Sequence, residues 1–416
     1  MIIEDKTAAR RKLRLQQWLV VFSFCNLFLV ASLGLLLRSF PFLSSLPFRY
    51  QNLLHGHSHF AFGGWIMPVL LAVVMKFFNK LRNRIPYRHW RNIAVLMLVS
   101  AYGMLVDFPL QGYAPVSIAF STVSIVATVY LTVQIWKASR QMEQTSAMLF
   151  LKWGLLYACL SAIGPFATGP LIAMGKSGTP IYFNAIYFYL HFQYNGFFSF
   201  TVFAVLYQLL EKYGGAANDR KAFWLLNSAC VPTYALSVLW SQPSVVANTI
   251  GAVGACLQLA GAAYLLADVR RSHVVKTFPL LRLSLGALLV KLVLQLLSAL
   301  PAVALLAYHQ RNFVIAYLHL VLLGFISLFV FAVALPKNAF SRFGVRTFLF
   351  SFVTTEALLV LNASSGFIPV ELPYFPHLLF AFSVAFPVGI VCMLWSLRPG
   401  ENIVPARAEN PIIAAS

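Results

Sequence analysis

The chain has 416 residues, of which 60% are hydrophobic and 10% charged, with a formal net charge of +20 and a mean hydropathy of +0.78. A soluble globular domain carries about 25% charged residues, so the composition excludes one and specifies an all-α integral membrane protein. The positive balance does not read as a nucleic-acid signature, because its lysines and arginines cluster between apolar runs.

Twelve runs of about the 20 residues a helix needs to cross a bilayer centre near 17–38, 55–79, 91–107, 113–136, 147–172, 180–210, 222–240, 244–267, 280–307, 312–336, 343–362 and 375–397. With the N-terminus in the cytoplasm, all Lys and Arg fall on the inner side except Arg38, Arg49, Lys176, Arg311 and the mid-span Lys291. This asymmetry predicts both termini inside, with anionic lipid as the partner of the basic loops. The first run is too long for a signal peptide, and no small-residue cleavage site follows it. Residues 1–400 read as one twelve-helix transmembrane domain, capped outside by 39–54 and 363–376. Residues 401–416 read as a disordered cytoplasmic tail.

The second span opens HGHSHFAFGGW, with His55, His57 and His59 near the outer surface. The helical period puts His55 and His59 on one face and turns His57 away. Asp107 ends the third span at the outer side and is expected to face water. Pro165, Gly169 and Pro170 are expected to kink the fifth, which Lys152 enters from the inner side with a stem long enough to snorkel. In the sixth, YFYLHFQYNGFF, His191 lies about eleven residues in, near the midplane at ~1.5 Å per residue. Tyr187, Gln193, Tyr194 and Asn195 could hydrogen-bond it as a structural histidine, so structural and functional roles stay open.

The tenth span reads HQRNFVIAYLHLVLLGF. His309 stands at its outer rim, where it or Arg311 could hold an anionic group by charge-assisted hydrogen bonds. His319 lies two to three turns deeper, level with His59. Lys291 in the ninth span and Glu356 in the eleventh are intramembrane charges, costing about 2.5–3.5 kcal/mol for a central Lys. They are expected to pair or to serve a proton path. His377 is expected to be structural, and His89 and His273 to face solvent. Cys25, Cys159, Cys230, Cys256 and Cys392 stand singly inside spans, which argues against zinc, covalent haem or disulfides.

His59 is followed by Gly64 and Trp65, and His319 by Gly324 and Phe325, at the same offsets. Imidazoles in hydrocarbon are costly unless they pair or bind something. Two of them on separate spans, each with a small residue about a turn further in, suggest the axial ligands of one haem, of b type.

The tenth span resembles the helix X motif of subunit I of the heme-copper oxidases, H-D-T-Y-[YF]-V-V-A-H-F-H-Y-V-L. His309, Phe313, Val314, Ala316, His319, Val321 and Leu322 match in register. The stretch Phe60 to Gly64 resembles helix II of the cbb-type branch, and His191 to Phe198 its helix VI. His57–Ser58–His59 is similar to the opening of the NnrS family of haem and copper proteins. The resemblance implies a twelve-span oxidase fold with a low-spin haem on His319 and a helix II histidine. Three alternatives stay open there: the internal echo favours His59, Met67–Pro68 favours His57, and FAFGG favours His55.

The departures are as informative. The family's ligand to the reactive haem is here Tyr317, and its adjacent copper-binding His pair is missing from CVPTYALSVLWSQPSVV. Of three copper ligands only His191 remains, and one imidazole makes no closed copper site, so copper is not expected. The resemblance then implies an inner-membrane bacterial haem protein that transfers electrons or binds nitric oxide or oxygen. A quinol or cytochrome donor, or partner subunits, would serve it. Two alternatives stand beside this. One is a reductase with an altered metal at His191 and Tyr317. The other is a cofactor-free transporter or structural subunit with Lys291 and Glu356 on its ion path.

Overall fold

Continuous apolar sequence with few strand signals dictates helices, because hydrocarbon leaves backbone groups no partner outside the segment. The computed structural model describes residues 6–43, 47–241, 244–366 and 372–397; the expected tail at 401–416 lies outside the described residues. Among the described residues there is no strand. The principal helices are α1 (Lys6–Ser39), α2 (Tyr50–Phe77), α3 (Tyr87–Gln111), α4 (Pro115–Ser139), α5 (Ser146–Ala173), α6 (180–212) and α7 (Asp219–Cys230). There follow α8 (Val245–Arg271), α9 (Leu281–Leu297), α10 (Pro301–His309), α11 (Arg311–Ala334), α12 (Ala339–Ser364) and α13 (Phe375–Ser396).

Local sequence sets many of the ends. Thr145, Ser244 and Asn338 cap α5, α8 and α12 by accepting from the backbone of Met148, Ala247 and Ser341. Pro115, Pro180 and Pro301 sit in first turns, where their missing N–H is harmless. Gly112 ends α3 at φ +69°, against Asn52.

Nine of these helices are long and apolar enough to cross a membrane, or ten if α9 and α10 form one bent span. The sequence led us to expect twelve, and the differences have local causes. α7 is only 12 residues long, too short to cross. The chain turns at Pro232, and the Thr233 hydroxyl takes the Ala229 and Cys230 carbonyls at 2.9 and 3.1 Å. The expected ninth span bends by 109° between α9 and α10, since Pro301 holds Leu300 extended. Residues 180–212 are helical throughout, but their hydropathy is diluted by the polar stretch around Gln193 and Asn195.

The basic loops meet at one end of the bundle. Lys12 donates to the Asn83 carbonyl at 2.8 Å, Arg84 to Ala138 at 3.2 Å, Arg220 to Gln144, and Lys337 to Thr277 at 2.7 Å. At the opposite end Arg38 donates to Ser383, Asn312 to Asn362 at 2.8 Å, and Trp240 stacks on Tyr308 at 5.0 Å. The core centres on α2, the most buried of the nine. Trp65 packs there against Phe24 and Phe331 and donates to Ser327 on α11 at 3.0 Å.

Three spans carry a π-helical segment: Ala61–Ile66, Phe192–Phe198 and Leu320–Ser327. Wider turns free carbonyls, and polar side chains take them up. Asn26 donates to the Gly64 carbonyl at 2.6 Å, Ser199 to Tyr194 at 2.6 Å, and Ser284 to Phe325 at 2.7 Å.

The closest approach of α12 and α13 is glycine on glycine. A Cβ on Gly344 would meet the Gly389 carbonyl oxygen at 2.6 Å, and one on Gly389 would meet that of Gly344 at 2.7 Å. Gly389→Val is therefore expected to cost on the order of 2 kcal/mol. It should lower the thermal midpoint of the detergent-purified protein; an unchanged midpoint would contradict this packing.

Candidate functional site

The histidines of α2 divide between two environments. His55 and His59 address α3: His59 stacks on Phe108 at 4.3 Å and 9°, and its Nε2 lies 3.0 Å from the Tyr113 hydroxyl. The His55 ring sits edge-on to Tyr113 at 4.8 Å. His57 points the other way, into α1. Its ring lies beside Gly34, where a Cβ would stand 3.3 Å from Cε1. It is in electrostatic reach of His319 and Arg38. Its Nδ1 is buried without a hydrogen-bond partner.

His319 closes the α-helical part of α11, immediately before its π segment. Its Nδ1 lies 3.0 Å from Glu356 Oε1 on α12, with side chains 24% and 15% exposed. Arg38 completes the group, within electrostatic reach of Glu356 and hydrogen-bonded to Ser383 on α13. Four helices thus place Arg38, His57, His319 and Glu356 together in the half of the bundle away from the basic loops. A carboxylate on one imidazole nitrogen fixes the tautomer and leaves the other nitrogen for a ligand.

This changes several sequence-based expectations. Glu356 pairs with His319 and lies within electrostatic reach of Arg38, whereas Lys291 lies toward Cys230 and His191. The small residues after the two histidines are filled by protein. A Cβ on Gly64 would strike the Phe60 ring at 2.6 Å, and one on Gly324 the Phe352 ring at 2.9 Å. Gly34 is the small residue beside an imidazole, and its i, i+4 spacing to Arg38 on the first span was the available signal. His309 ends α10 and is exposed, because the chain breaks at Gln310 before α11 begins. Arg311 is exposed too.

Asp107 is buried, accepting from Gln111 at 2.7 Å, rather than facing water. His89, expected in solvent, has its Nδ1 2.5 Å from the Tyr130 hydroxyl. His191 is fully buried with both ring nitrogens engaged: Nε2 donates to the Cys230 carbonyl at 2.8 Å, and Nδ1 accepts from Asn195 at 3.1 Å. The break after α7 is what frees that carbonyl. Tyr317 stands edge-on to Tyr194 at 6.3 Å. Among the described residues no three His, Cys, Asp or Glu side chains converge as a metal-binding group.

No protein-family model matches this chain, and neither does any characterised protein sequence. Its own geometry yields a direct expectation. Glu356→Leu leaves Arg38 facing two imidazoles with no counter-charge. It should cost about 2 kcal/mol, less than a fully buried pair because both groups are partly exposed. Glu356→Gln, which keeps an acceptor, should cost less. Unfolding in a denaturing detergent titration reads both, and equal stability of all three proteins would contradict the ion pair.

Proposed function

We propose that the chain is a haem-binding membrane protein of oxidase-like fold, with His57 and His319 as axial ligands of one b-type haem. One observation carries this reading. Two imidazoles on separate spans lie within electrostatic reach of each other, His319 anchored through Nδ1 by a carboxylate and His57 with a buried, unpartnered Nδ1. This donor set fits a bis-imidazole iron site. The resemblance of the tenth span to helix X supports His319 independently of the geometry.

A haem held by His57 and His319 would supply one-electron chemistry, and a diatomic gas would bind on displacing one of the two imidazoles. Glu356, 3.0 Å from Nδ1, would orient His319 and leave its other nitrogen to hold the haem. Arg38, within electrostatic reach of His57, would supply the cation for a propionate, the task the sequence suggested for Arg311. His55 and His59, held by Tyr113 and Phe108, form the outer wall of the α2–α3 contact. The saturated hydrogen bonds of His191 favour electron transfer or gas binding over reduction at a second metal. In this reading the chain is a multi-pass protein of the inner membrane of a bacterium. The basic end faces the cytoplasm and anionic lipid. A quinol or a cytochrome supplies the electron.

The test is a dithionite-reduced minus oxidised spectrum of purified variants. His57→Ala and His319→Ala should each lose the b-type signal, and His59→Ala should keep it. A signal lost in His59→Ala but kept in His57→Ala would overturn the ligand assignment. Absence of haem from the unaltered protein would overturn the function.

A further inference from the structure

A second polar cluster lies among α6, α7, α8 and α9 and owes nothing to the haem reading. Lys291 on α9 is 2% exposed. Glu356 is committed elsewhere, and the ionisable neighbours in reach of Lys291 are the Cys230 thiol and the His191 ring. An ammonium at this depth costs several kcal/mol unless its three donors are met.

Three buried amide oxygens on the helices packed here have no donor of their own. Gln295 is one turn further along the same face of α9, and its Oε1 is buried without a partner. Asn195 gives its amide hydrogens to His191 and keeps Oδ1 buried and unpartnered. On α8, Gly254 packs on Thr233 and Gly261 on Leu226. Gln258, midway between them, therefore faces α7 at the level of Cys230, and its Oε1 is also orphaned. Among the described residues no carboxylate pairs with Lys291, and its three donors and the three unpartnered amide oxygens share one chemical complement. A water molecule placed between an ammonium and an amide oxygen accepts from the first and donates to the second.

We propose that this interior is a second site, whose ligand is bound water and in which Lys291 stays an ammonium that exchanges protons with that water. Magic-angle-spinning NMR of the 15N-lysine-labelled protein in lipid bilayers tests it. The Lys291 signal is the one that disappears in Lys291→Met or, should that variant fail to insert, in Lys291→Arg. It should appear at the ammonium position and receive magnetisation from water as fast as the loop lysines do. An amine position, or no transfer from water, overturns the proposal.

Discussion

A carboxylate inside a membrane bundle needs a cation or a proton donor close by, and Glu356 has Arg38 and His319. Much of the architecture around the candidate site follows from that requirement. It brings α1, α11 and α12 together at one level, and Ser383 ties α13 to the same arginine. The glycine contact between α12 and α13 allows that helix to come close enough. With α1 so placed, Gly34 lies against α2 at His57, which comes within electrostatic reach of His319.

The π-helical segments are the second constraint. Each begins one or two residues after a histidine: His59, His191 or His319. A π turn accommodates an extra residue, so side chains before and after it no longer share the register of an ideal helix. Asn26, Ser199 and Ser284 meet the carbonyls released. Tyr102 locks Asn26 in turn, donating to its Oδ1 at 2.6 Å. Polar residues scattered through apolar spans thereby acquire a single structural purpose.

Hydrophobic runs made the helices and the shared end of the basic loops legible, because both depend on composition over many residues. The helical period also separated His57 from His55 and His59. What it could not supply was the direction of the partner. The His59–Gly64 and His319–Gly324 echo is real in the sequence, yet its glycines accommodate Phe60 and Phe352. The partner of Glu356 was hidden because it depends on helix neighbours, and nothing local distinguishes His319 from Lys291. The ends of α7 and α10 were missed for a simpler reason. Pro232 and Pro301 lie within apolar stretches, and hydropathy averages over the breaks they make.

A haem iron held by His57 and His319 is the central proposal. Pyridine-haemochrome quantification of the purified, unaltered protein, made in a haem-replete host, addresses it directly. One b-type haem per chain is the predicted result, and protein that carries none would contradict the account.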